Sequence, residues 1–210
     1  HTKLLAKEVF GNARYHLSVF TDIDNNLWQL IYGADKNCRF EVADANTGKP
    51  KATYILPLPV QQADRDIFYF THWQDADGIF WLGTNQGLFR FDERSKKWKL
   101  YKNNTADTTS ISGDYIFSIC ADPQQPNRYL WIGTNGRGFN RFDKQTGKCT
   151  RYSDKDGLPN NTVFGILSDD FGNLWMSTNK GISCFNTQQK KFRCNRKRFV
   201  GQQYCCRQTI

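Results

Sequence analysis

One phrase is written three times along this chain. Residues 81–92 read WLGTNQGLFRFD, residues 131–143 read WIGTNGRGFNRFD and residues 175–186 read WMSTNKGISCFN. The tryptophans at 81, 131 and 175 stand 50 and 44 residues apart. A self-similar period of this size marks a repeat architecture, in which each unit is one supersecondary element that buries its apolar face on its neighbours. The most conspicuous residues are therefore frame. Chemistry has to be sought where the copies differ.

Each copy opens on an alternating apolar segment, strand a: Ile67-Phe68-Tyr69-Phe70, Ile116-Phe117-Ser118-Ile119 and Val163-Phe164-Gly165-Ile166. A turn follows, with Asp77-Gly78 in one copy and Asp170-Phe171-Gly172-Asn173 in another. Gly and Asn accept the positive φ of tight hairpins. Strand b carries Trp81, Trp131 or Trp175, then Gly83, Gly133 or Ser177, where a small residue admits a neighbouring sheet. A second turn holds Gly87, Gly138 or Gly181. Strand c runs to Phe91-Asp92, Phe142-Asp143 or Phe185-Asn186, and strand d carries Trp98 and Tyr101, Thr150 and Tyr152, or Phe192.

Four short antiparallel strands in about 45 residues make one propeller blade, with the strand-b indole filling the wedge to the adjacent blade. A fourth, divergent copy precedes the others: Asn26-Leu27-Trp28 keeps the phrase, and Gln29-Leu30-Ile31-Tyr32-Gly33 loses it. The expectation is an all-β chain of four β-propeller blades at 14–60, 64–104, 112–154 and 160–195, part of a larger, seven-bladed ring. Residues 1–13 are expected to be a blade remnant, and 196–210 the start of a further blade or an atypical tail. Sheet edges left unpaired at either end predict self-association of the isolated chain.

Composition narrows the function classes. The net charge of +9 includes six cations between Lys190 and Arg198, so the body is close to balanced. A stripe of cations interleaved with stacking aromatics, as nucleic-acid contact requires, is missing. No apolar run reaches the ~18 residues of a membrane helix. Seven cysteines without a CxxC read as small buried hydrophobes. His1, His16 and His72 show no metal-ligand spacing, and neither a phosphate loop nor a nucleophile elbow is present. No catalytic residue, cofactor or metal is assigned. Asp92, Asp143 and Asn186 are read as caps of the turns that follow them, and Thr84, Thr134 and Thr178 as strand formers.

The phrase at 170–182, DFGNLWMSTNKGI, resembles the two-component regulator propeller repeat, as do Trp81 to Asp92 and Trp131 to Asp143. The linker Asp156-Gly157-Leu158-Pro159-Asn160-Asn161-Thr162-Val163 is similar to that repeat's inter-blade segment. The resemblance covers residues 64–192. It implies an extracytoplasmic, periplasmic sensor region of a Bacteroidetes hybrid two-component system. Such proteins carry two seven-bladed propellers, a β-sandwich, a membrane helix, a histidine kinase and a DNA-binding regulator, and many sense oligosaccharides. The chain begins at His1 and is expected to be a piece of such a protein. The implied partners are a glycan fragment or other small ligand, the remaining blades and β-sandwich, and a second copy in a homodimer, with no direct nucleic-acid contact. The alternatives are a propeller lyase or hydrolase and a protein-binding scaffold.

Specificity on a repeated frame sits where the tips vary. The b–c tips carry Gln86, Gly136-Arg137 and Lys180. Sugars are held by aromatic faces and by charged or amide side chains, so Arg137, Lys180, Trp73 and Tyr115 are the candidate ligand contacts. Arg137 occupies an inserted position. The frame itself is assigned to Trp28, Trp81, Trp131, Trp175, Gly83, Gly133, Gly87, Gly138 and Gly181.

Overall fold

In the computed structural model, residues 15–32, 38–57 and 69–193 are described. They form four separate four-stranded antiparallel sheets, each in simple meander order. Blade 1 comprises β1 (Tyr15–Thr21), β2 (Asn26–Tyr32), β3 (Cys38–Asp44) and β4 (Pro50–Ile55). Blade 2 comprises β5 (Tyr69–Gln74), β6 (Ile79–Thr84), β7 (Gly87–Asp92) and β8 (Lys97–Tyr101). Blade 3 comprises β9 (Ile116–Ala121), β10 (Tyr129–Thr134), β11 (Phe139–Asp143) and β12 (Cys149–Tyr152). Blade 4 comprises β13 (Val163–Ser168), β14 (Asn173–Thr178), β15 (Gly181–Asn186) and β16 (Lys191–Arg193). The innermost strands β5, β9 and β13 lie beside one another.

The register of strand a in blade 2 stands two residues away from the expected alignment. Its described part is Tyr69–Gln74, in which Tyr69 rather than Ile67 takes the place of Ile116, and Ile67 and Phe68 lie outside the described residues. The pairing explains why: Thr71 stands opposite Gly83, as Ser118 stands opposite Gly133. The expected segments at 1–13 and 196–210 also lie outside the described residues.

The tryptophans set the stacking. Trp28, Trp81 and Trp131 are buried, each against the blade that follows. Each meets a strand-c phenylalanine of that blade edge to face: Trp28–Phe91 at 6.2 Å and 66°, Trp81–Phe142 at 5.4 Å and 70°, and Trp131–Phe185 at 5.6 Å and 67°. Burial of each large aromatic contributes a few kcal/mol, and the edge-to-face contact adds about 1 kcal/mol. Trp175 is 38% exposed, together with Leu167 and Ile182. Leu167 pairs across from Trp175, so among the described residues blade 4 has no blade packed on this apolar face, where the other three are covered.

Each indole is aimed by an aspartate at the start of the a–b turn. Nε1 of Trp28, Trp81, Trp131 and Trp175 donates to Oδ2 of Asp22, Asp75, Asp122 and Asp169 at 2.7, 3.2, 3.0 and 2.9 Å. The other carboxylate oxygen accepts backbone N–H groups of the turn, for example Ile79 at 3.1 Å and Asn173 at 2.8 Å. Bonds from the Asn173 amide, from turn N–H groups and from the Trp175 indole outweigh burial and hold Asp169 down at about 2. The c–d turns are capped as expected. Oδ1 of Asp44, Asp92 and Asp143 accepts the N–H two residues on at 3.1, 3.1 and 2.9 Å, and Oδ1 of Asn186 accepts that of Gln189 at 2.8 Å.

The small residue after the tryptophan pair is required by contact. A Cβ on Gly83 would meet Ile116 O of the next blade at 2.9 Å, and one on Gly133 would meet Val163 O at 2.8 Å. Blade 1 has the fully buried Leu30 at this place. Phe20, paired opposite Trp28, reaches across to blade 2 and stacks on His72 at 3.9 Å.

Cys38, Cys120 and Cys149 are free thiols, and burial pushes Cys38 and Cys149 up to about 12. Among the described residues no helix is long and apolar enough to cross a membrane.

Candidate functional site

The b–c hairpins and the d–a linkers share one face of the fan. The hairpins are closed by the threonine of the repeated phrase. Oγ1 of Thr84, Thr134 and Thr178 donates to the carbonyl of Gly87, Gly138 and Gly181 at 2.9, 2.7 and 2.9 Å. Those glycines have φ of 123°, 76° and 97°, the left-handed region that disfavours side chains. Each threonine thus clasps its hairpin and is more than a strand former.

The tip of blade 3 is bolted to both flanking linkers. Asn135 N–H donates to Tyr115 O at 3.0 Å, and Gly138 N–H to Asn161 O at 2.7 Å. Gly136 N–H donates to Thr162 Oγ1 at 3.1 Å. The linker behind it is fixed by a capping box at Ser153 and Asp156, by Asn161 Oδ1 accepting from Asp154 N–H at 2.8 Å, and by buried Leu158. The linker in front is pinned by Arg151, whose guanidinium donates to Ser110 O at 2.9 Å and Ser110 Oγ at 2.8 Å.

On this rigid seat lie Arg137 and Tyr115. A Cβ added to Gly113 would come within 2.9 Å of Arg137 Cγ, so the arginine stem packs over that linker glycine. Arg137 is exposed, and no ion pair of the described residues includes it. Tyr115 is 48% exposed, which sets it outside the strand-a core. Lys180 is exposed at the blade 4 tip, its N–H donating to Thr178 Oγ1 at 3.1 Å. Trp73 is placed elsewhere. It pairs opposite Trp81 near the far end of β5, beside the a–b turn. The structure therefore puts Tyr115, Arg137 and Lys180 on one face and Trp73 at the opposite end.

The fold adds a feature that the sequence reading passed over. Strand a of every blade carries a bulge one or two residues from its start. In blades 2, 3 and 4 the unpaired residue is Phe70, Phe117 and Phe164. Their rings touch in series, Phe70–Phe117 at 4.9 Å and Phe117–Phe164 at 5.4 Å. Phe70 and Phe164 remain 38% and 48% exposed. A bulge re-aims its side chain, here onto the inner strands next to Tyr115. The signal was a phenylalanine second in each strand a, legible once the blade 2 register is set by Tyr69. Together these groups offer apolar ring surface beside a planar, five-donor cation, a combination suited to hydroxyl-rich ligands. Among the described residues no cluster of histidine, cysteine and carboxylate side chains forms a metal site.

Comparison with known proteins agrees with this architecture. Residues 157–180 match the two component regulator propeller family. No curated protein matches the chain. The extracellular domain assigned to the hybrid two component system BT3049 of B. thetaiotaomicron superposes with a TM-score of 0.68 at 19% identity, over 87% of this chain and 24% of that one. Two structures of the extracellular domain of BT4673 from the same organism, assigned to a one component and to a hybrid two component system, give 0.67 and 0.66 at 19% identity. They cover 89% and 88% of this chain and 26% and 25% of theirs. The chain thus shares their propeller fold and spans about a quarter of their length.

Proposed function

We propose that this chain is a ligand-sensing segment of a periplasmic propeller in a hybrid two-component system, and that it recognises oligosaccharide to control polysaccharide-utilisation genes. The observation that carries the proposal is the seat of Arg137. A cation without an ion pair among the described residues is held on a tip bolted to two linkers, one of which carries Tyr115, and a contiguous row of phenylalanine rings runs along the inner strands. Such preorganisation lowers the ordering penalty of binding. The match at 157–180 and the shared fold support the system context. Ligand binding acts here as a bias on propeller or dimer geometry, a population shift without turnover, and the kinase chemistry belongs to another part of the parent protein.

Calorimetric titration of the chain with oligosaccharides from plant and host glycan digests tests this, with chromatography of the products. Binding without product, weakened about tenfold or more in Arg137→Ala, is the expected result. Turnover of the glycan, or binding indifferent to Arg137→Ala, overturns it.

A further inference from the structure

The opposite face holds a second site. Between the a–b turns of blades 3 and 4 lies an open cleft of about 560 Å³, lined by Pro123, Gln124, Asp170, Phe171, Gly172 and Gln188 among others. That volume suits a small ligand. We propose that this cleft is a neutral-pyranose subsite, in which Phe171 stacks on the sugar ring and Asp170, Gln124 and Gln188 take its hydroxyls. This inference goes beyond the sensing face around Arg137 and does not rest on it.

The walls are fixed. Asp169 Oδ1 accepts Phe171 N–H at 3.0 Å and Asn173 N–H at 2.8 Å, while its Oδ2 holds the Trp175 indole at 2.9 Å. Thr187 Oγ1 donates to Gly172 O at 2.7 Å, tying the a–b turn to the c–d turn that carries Gln188. Gln124 reaches across from blade 3, its Nε2 3.4 Å from where a Gly172 Cβ would stand. Its own N–H is held by Asp122 Oδ1 at 3.0 Å.

The chemistry of the lining is selective. Phe171 is 85% exposed, an energetically unfavourable place for a phenyl ring unless something covers it. The Asp170 carboxylate and the Gln124 and Gln188 amides make no hydrogen bond among the described residues. One carboxylate and two primary amides supply acceptors and donors at the spacing of neighbouring side chains, as vicinal hydroxyls require. The apolar C–H face of a pyranose matches the phenyl face. No lysine or arginine lines the cleft, and Asp170 disfavours anions, so uronate and sulfated rings are excluded.

Saturation-transfer NMR on the 210-residue chain tests the site, with methyl α-glucopyranoside, methyl α-mannopyranoside, methyl β-galactopyranoside and glucuronate as probes. Transfer to the ring C–H protons of at least one neutral pyranoside is expected, and none to glucuronate. Measured in the Arg137→Ala background, which removes the sensing face as a source of signal, Phe171→Ala should abolish the transfer and Asp170→Asn should weaken it about tenfold. Phe171 is a surface residue, so a thermal melt equal to the parent's shows that its variant is folded. No transfer from any of the three in that background, or transfer that survives the added Phe171→Ala, overturns the inference. Transfer seen in the parent chain and lost in Arg137→Ala would assign sugar binding to the other face and leave the sensing proposal standing.

Discussion

The Lys144 ammonium lies 3.1 Å from Asp75 Oδ2, crossing from blade 3 to blade 2 with side chains only 7% and 9% exposed. The same oxygen accepts the Trp81 indole. One carboxylate therefore aims the wedge of its own blade and receives a cation from the next. Removing one partner of a buried pair leaves the other charge uncompensated. Lys144→Ala is expected to destabilise the chain by about 2–4 kcal/mol in denaturant unfolding. An unchanged midpoint would mean that the pair contributes nothing.

Gly133→Ala places a methyl group against Ser118 Oγ and within 2.8 Å of Val163 O, a backbone atom of the adjoining strand. A loss of about 1–3 kcal/mol is expected, since overpacking has to push blade 4 outward. Ser177→Ala, at the matching place on the uncovered face, should change stability by less than about 0.5 kcal/mol. Parallel thermal melts of the two variants measure the contrast.

The c–d turns differ at their last position. Gly48 and Gly147 have φ of 69° and 74°, while Lys96 and Lys190 adopt φ of 54° and 53°. A left-handed lysine is strained relative to glycine. Lys96→Gly is expected to raise stability by about 0.5–1 kcal/mol, the relief exceeding the extra chain entropy. A lower unfolding midpoint would refute this.

His72 is partly buried between blades 1 and 2, and that desolvation lowers it from 6.5 to about 4. The folded chain keeps the ring neutral where the unfolded chain protonates it. Its stability is therefore full above pH 6.5 and is lost as pH falls from there to about 4. The loss amounts to about 3 kcal/mol, and His72→Phe should flatten that part of the stability curve. Asp169, at about 2 in the folded state against 3.8 unfolded, acts in a separate window below pH 4.

Much of the frame was written in the chain because its determinants are local. The indoles and the glycines of the b–c turns recur in one phrase, and a turn needing positive φ selects glycine directly. What was not legible depended on pairing partners. Ile67-Phe68-Tyr69-Phe70 alternates with a period of two, and such a pattern is unchanged by a shift of two residues, so only the pairing of Thr71 with Gly83 fixes the register of β5. The bulge that turns Phe117 inward arises in the same way, from its neighbour strand. Asp75 and Asp122 escaped notice because they stand six and nine residues before their tryptophans, a spacing blurred by turn length. Trp73 illustrates the converse: the right side-chain type, set at the other end of its strand.

Leu30 occupies the place that Gly83 and Gly133 hold in the next two blades. One side chain there acts as a shim that keeps the inner strands of adjoining leaves apart. With a bulky shim at the first junction and none at the next two, β1 stays back from β5 where β5, β9 and β13 nest one against the next.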